Sequence, residues 1–174
     1  GTEVGMAAVL FYIFAFAAVG TALMVIASRN AVYSALYLIG TLFSLACIFL
    51  LLHAEFIAAI QVLVYAGAIM VLFLFVIMLL NVGAERRAPI KLKGQKFAGL
   101  LFSLGLLVFL FVMARGIPQP EPIGPFSPER LAEIGNVKSI GLLLFTDYLL
   151  PFEITSILLF VAIIGAVVLA RRSG

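Results

Sequence analysis

Charged residues divide this sequence into long apolar blocks. Val4 to Ser28 carries no charge and lies between Glu3 and Arg29. Ala31 to Leu52 follows, closed by His53. Phe56 to Ala84 lies between Glu55 and Glu85, Phe97 to Ala114 between Lys96 and Arg115, and Ile154 to Ala170 between Glu153 and Arg171. A membrane-spanning helix needs about 20 apolar residues, with a range of roughly 17–25. The first four blocks meet this, and the fifth does so if its helix begins near Pro151. Proline fits a first helical turn, where its missing N–H has no partner to lose, and a carboxylate such as Glu153 is favoured near a helix N-terminus. The pattern predicts an all-α integral membrane protein, a single transmembrane domain over 1–174 with spans at about 4–28, 31–52, 56–81, 97–115 and 151–170.

Two connections are longer than the rest. Residues 82–96 are basic and read as an exposed loop. Residues 116–138 contain Pro118, Pro120, Pro122, Pro125 and Pro128, a density that blocks continuous helix. Ser139 to Leu150 is apolar again apart from Asp147, and reads as a short interfacial helix leading into the last span. Small residues recur four apart: Ala18 and Ala22, Ala31 and Ala35, Gly40 and Ser44, Gly99 and Ser103, and Ala162, Ala166 and Ala170. In lipid such spacing lets helices pack closely, against one another or against partner subunits.

Composition agrees with this reading. The chain is 65% hydrophobic and 11% charged, whereas soluble domains carry about 25% charged residues. No room is left beside five spans for a soluble catalytic domain. Lys and Arg fix the expected orientation. Arg29, Arg86, Arg87, Lys91, Lys93, Lys96, Arg171 and Arg172 share one side, and Arg115, Arg130 and Lys138 the other. The richer side is expected to be cytoplasmic, which puts the N-terminus outside and the C-terminus inside. The basic residues thus read as topology signals and not as a nucleic-acid footprint. The single cysteine, Cys47, sits in an apolar run and reads as a small buried hydrophobe.

Intramembrane ionisable residues are the usual mark of a proton or ion path. The interiors of the first four blocks hold none. A chain that moved protons alone would need them, so a complete pump or antiporter is not expected. The third span is unusual for another reason. Its charge-free block of 29 residues would measure roughly 43 Å as α-helix, against about 30 Å of hydrocarbon. Tyr65 falls near its middle, with Gln61 one α-helical turn earlier on the same face and Ala66, Gly67, Ala68 and Ile69 following. Gly67 lowers the cost of a bend or a widened π-type turn there. Glu55, Glu153 and His53 sit at span ends, where an interfacial role competes with a functional one. No glycine-rich phosphate loop, metal-ligand set or nucleophile constellation is visible. A cofactor site within the chain is therefore not expected.

The run from Gln61 through Tyr65 and Gly67 to Asn81 closely resembles the third transmembrane helix of subunit J of respiratory complex I, the proton-pumping NADH:quinone oxidoreductase; its mitochondrial counterpart is chain 6. Gly141 to Phe145, Tyr148, and Pro151-Phe-Glu-Ile-Thr-Ser-Ile-Leu-Leu-Phe-Val-Ala-Ile-Ile-Gly-Ala-Val-Val-Leu-Ala170 resemble that family's last helix and its approach in the same order, and Arg29-Asn30 with Ala31 and Ala35 resembles its first loop. The resemblance implies a non-catalytic core subunit in the membrane arm, in the bacterial cytoplasmic membrane, surrounded by lipid and packed against subunits H, A, K and N. It implies a π-bulge near Tyr65–Ile69, whose exchange with regular α-helix gates a water and proton route. Tyr65, Ala66, Gly67, Ala68 and Ile69 would then be the coupling element, with Gln61, Glu55 and Glu153 as polar candidates along the path. FMN, iron–sulfur clusters and quinone would belong to partner subunits. Some bacterial members carry Glu where this chain has Gln61; Gln cannot titrate but can hydrogen-bond water. Two other readings compete: a small stand-alone transporter or channel, and a purely structural assembly subunit.

Overall fold

The computed structural model of the chain describes residues 2–80, 93–116 and 133–171. All its elements there are helical. α1 covers Thr2–Ala27 and α2 Ala31–Leu51. The third span is one continuous rod in three parts: α3 at Glu55–Ile60, a π-helical segment at Gln61–Ile69, and α4 at Met70–Leu79. α5 covers Lys93–Gly116, α6 Asn136–Phe145 and α7 Leu149–Ala170. Five rods are long and apolar enough to cross a membrane. The loops expected at 82–96 and 116–138 lie largely outside the described residues.

Two boundaries differ from the pattern-based expectation. The short helix before the last span runs from Asn136 to Phe145, not from Ser139 to Leu150, because Thr146–Tyr148 form a turn around Asp147. The last span then starts at Leu149 and places Pro151 in its first turn, where the ring costs no hydrogen bond. α5 also reaches back past Phe97 to Lys93.

α1 and α2 form a tight antiparallel pair. Asn30 starts α2, its Oδ1 accepting from the Val32 N–H at 2.9 Å. Ala18, Ala35 and Ser44 from the small-residue pairs are buried in the described packing. Thr21 Oγ1 and Thr41 Oγ1 lie 2.8 Å apart, and each also reaches a carbonyl one turn back, Ala17 at 2.7 Å and Tyr37 at 3.1 Å. A hydroxyl bond of this kind in lipid contributes about 0.6 kcal/mol, up to ~1.7.

The third rod packs on α2, and α6 bridges the third rod to α7. Phe145 and Phe152 meet edge to face at 5.0 Å across the α6–α7 turn. α5 touches no other described helix, and the span windows of both α5 and α7 are wholly unburied. The small residues Gly99, Ser103, Ala162, Ala166 and Ala170 therefore have no partner helix within the described chain. The accessible surface is 14876 Å², where a compact protein of this mass would show about 8,300 Å². The chain does not cover its own apolar surface.

The α2–α3 corner explains His53. Its φ of 58° is left-handed. The Ala54 N–H donates to the Phe49 carbonyl at 2.9 Å and the His53 N–H to the Leu50 carbonyl at 3.0 Å, which is the Schellman pattern that usually places glycine at this position. His53 thus terminates a helix. Left-handed backbone costs an L-residue about 1–2 kcal/mol relative to glycine. His53→Gly should therefore slow hydrogen exchange of the Ala54 amide, and His53→Val should speed it, in the membrane-embedded protein. Equal exchange in both variants would remove the cap assignment.

Candidate functional site

The candidate site is the middle of the third rod. From Gln61 to Ile69 the backbone pairs over five residues instead of four. At its start the Gln61 N–H still reaches the Ile57 and Ala58 carbonyls in the α manner. At its end the Met70 N–H donates to the Tyr65 carbonyl, five residues back. The stretch begins four residues before Tyr65, earlier than the Tyr65–Ile69 expected from sequence.

Burial records the same shift. The residues of this rod buried within the chain are Ala58, Gln61, Ala66 and Met70. The steps are three, five and four. An α-helix keeps a face with steps of three and four, so the step of five from Gln61 to Ala66 is where one extra residue enters the winding. The expectation that Tyr65 shares the face of Gln61 is corrected here. Gln61 is 9% exposed and Tyr65 49%, because the wider turn stacks Ala66, not Tyr65, over Gln61. Composition alone could not reveal this, since both windings use the same apolar residues.

Gly67 has a reason to be glycine. A Cβ added there would lie 3.0 Å from the Val62 carbonyl oxygen, five residues back. That is tighter than ordinary van der Waals contact, and the obstructing atom is backbone. Ala66 and Ala68 flank it, so the widened turn is built from the smallest side chains.

The polar candidates are spread out. Gln61 is buried, on a segment that packs against α2. Glu55 opens α3 and Glu153 lies in the second turn of α7; both are exposed. α6 touches both of their helices. Among the described residues no three His, Cys, Asp or Glu side chains converge as a metal site would require. Sequence reasoning missed one participant, Asn136. Its Oδ1 accepts from the Phe56 N–H at 3.1 Å, across 80 positions of chain.

A family described as NADH-ubiquinone/plastoquinone oxidoreductase chain 6 matches residues 21–169. The chain belongs to that family. It is 42% identical over 172 residues to the NAD(P)H-quinone oxidoreductase chain 6 of Synechocystis, covering 97% of this chain and 82% of the relative. It is 46% identical over 152 residues to subunit 6 of the Paulinella chromatophora chromatophore enzyme, covering 87% and 71%. It is 37% identical over 167 residues to NADH-quinone oxidoreductase subunit J of Rickettsia typhi, covering 94% and 80%. As a chain 6 or subunit J protein, it is a multi-pass membrane-arm subunit of a quinone oxidoreductase in the bacterial inner membrane. Its partners are other subunits of that complex, which gives the uncovered surfaces of α5 and α7 a physical reason.

Gly67→Ala should disfavour the π winding twice over. It adds the clash with the Val62 carbonyl, and alanine gains about 1 kcal/mol over glycine in regular helix, roughly a fivefold shift in population. A structure of the assembled complex carrying this variant should bury Tyr65 and Ile69 in place of Ala66 and Met70. A retained Gln61–Ala66 step would show that Gly67 is not what permits the wide turn.

Proposed function

We propose that this chain is the coupling subunit of a redox-driven proton pump, acting through its third rod. Residues Gln61–Ile69 exchange between π and α winding, and that exchange makes or breaks a water route between the quinone region and the proton-translocating subunits. The observation that carries this reading is the five-residue step from Gln61 to Ala66. A winding that holds one extra residue has a second state within reach, in which the same residues pair four apart. Conversion rotates whatever follows by about 100°. That swaps Ala66 and Met70 for Tyr65 and Ile69 against α2, a change from small and flexible side chains to a phenol and a branched aliphatic. Such a swap resizes the space beside Gln61.

Gln61 serves as a neutral water ligand, able to donate and accept. Glu55 and Glu153 stand at the α3 and α7 ends as entry groups. The N-terminus lies outside and the C-terminus in the cytoplasm, on the strength of the Lys and Arg distribution. Subunits H, A, K and N cover α5, α7 and the outer faces of the first three rods. Flavin, iron–sulfur clusters and quinone are held by partner subunits. A stand-alone transporter would need titratable groups inside the spans, and the first four blocks supply none.

One deletion separates coupling from scaffolding. Removing Ala68 takes out the extra residue, so Met70 comes eight positions after Gln61 with Tyr65 midway, the spacing of one face of a regular helix. A regular helix can then form with Met70 still facing α2. The expected result is an assembled complex, recovered by mild affinity purification, that passes electrons to quinone but translocates fewer protons per electron pair. Full proton yield from the deleted form would leave only the scaffold reading. Recovery of the unaltered chain without the other subunits, under conditions that keep other membrane complexes whole, would count against the whole proposal.

A further inference from the structure

A change of winding in the middle of a rod must be expressed at one end or the other, and the end that moves is the one less firmly held. Within the described chain both ends of this rod pack on α2, but only the first is also held by α6. α3 has no side-chain cap of its own, since Ala54 occupies the capping position. The Phe56 N–H is one of the orphan donors of that first turn, and its acceptor is the Asn136 side chain at 3.1 Å. Asn136 is itself fixed. It opens α6 directly after Gly135, whose φ of 90° turns the chain. Ser139, almost fully buried, donates from both its hydroxyl, at 2.9 Å, and its N–H, at 3.1 Å, to the Gly135 carbonyl. The Schellman corner at Leu52–Ala54 holds the same end from the α2 side, and Ala58 is buried one turn further in. Beyond the π segment, Met70 is the buried residue of α4, and Val71, Leu72, Phe73, Phe75, Val76, Met78 and Leu79 are exposed.

We propose that Asn136 is a positioning residue for the π segment: it clamps the Glu55–Ile60 end of the rod, so that a register change within Gln61–Ile69 is delivered as rotation of Met70–Leu79. The clamp also joins the third rod to the last one, because α6 continues through Thr146–Tyr148 into α7 and is braced there by Phe145 against Phe152. This role rests on the coupling reading above, but the clamp itself can be read separately.

The test uses the assembled complex with Asn136→Ala, Asn136→Gln and Asn136→Asp. Alanine removes the acceptor. Glutamine keeps the amide but displaces it by one methylene, and serves if the alanine variant does not assemble. Aspartate keeps an acceptor at the same place, and a carboxylate is favoured at a helix N-terminus. Losing a cap of this kind should speed hydrogen exchange at the Phe56 amide roughly fivefold. The alanine and glutamine variants should show that acceleration and a lower proton yield per electron pair while electron transfer to quinone continues. The aspartate variant should match the native complex in both respects. Unchanged exchange at Phe56 in the alanine and glutamine variants would overturn the clamp. Faster exchange with native proton yield would overturn the positioning role. If the Ala68 deletion also pumps normally, the coupling reading has failed, and exchange at Phe56 still decides whether the clamp exists.

Discussion

Beyond its first turn, every backbone N–H in the third rod must find a carbonyl in its own helix, because hydrocarbon offers no water to take its place. An unpaired group there costs several kcal/mol. This constraint shapes the irregularity that the rod can have. A break or a loop is excluded, but a change of partner is not. Across Gln61–Ile69 the amides pass from the carbonyl four residues back, as at Gln61, to the one five back, as at Met70. The rod thus stores an extra residue near its middle while helical pairing continues on both sides of it. The same constraint makes the stored residue movable in principle, since conversion between the windings exchanges partners and does not forfeit them.

Side-chain size decides where the extra residue can sit. A wide turn brings the residue five positions on close to the carbonyl, and Gly67 meets the Val62 oxygen at a distance where even a methyl group crowds. Ala66 and Ala68 leave the rest of the turn slim, and Ala66 fills the buried position that Tyr65 would hold in a regular helix. Met70, flexible and polarisable, takes the next buried position, and an unbranched thioether tolerates a shift of register better than a β-branched residue. The segment is therefore permissive at the turn and adaptable just beyond it, while the corner before it is rigid. Small local choices of residue give one rod an end held by two neighbouring helices and an end held by one within the described chain.

Much of this was legible in the sequence, for physical reasons. Spans follow from hydropathy because lipid enforces it, and all five rods lie where the apolar blocks are. The over-long third block left tilt, protrusion and local irregularity open, and the expected π-bulge near Tyr65–Ile69 came from the family resemblance. Its register was not legible. An α and a π turn differ by one residue in five, and periodicity over nine apolar residues cannot resolve that, so Tyr65 was put on the wrong face. The Asn136 contact was equally hidden, because a cap borrowed across 80 positions leaves no local pattern; the only cue was that Ala54 cannot cap α3 itself. The end of α6 at Phe145 was half-legible in Asp147, which interrupts the apolar run where the turn forms.

The absence of ionisable residues inside the first four spans bears on how the chain could serve proton movement. Gln61 is the one amide held within the third rod's buried face, and it carries no proton to give up. A route past it would have to run through water, with protons passed along hydrogen bonds and no stop at a titrating group of this chain. Such a route depends on space, and space is what a register change controls. Replacing Ala66 and Met70 by Tyr65 and Ile69 beside Gln61 alters the room for water without moving any charge through lipid, where a buried charge would be costly. A subunit built this way would act as a valve on a path whose charged groups belong to its neighbours. Its large uncovered apolar surface fits that division of labour, since the valve has meaning only when other subunits close the walls around it.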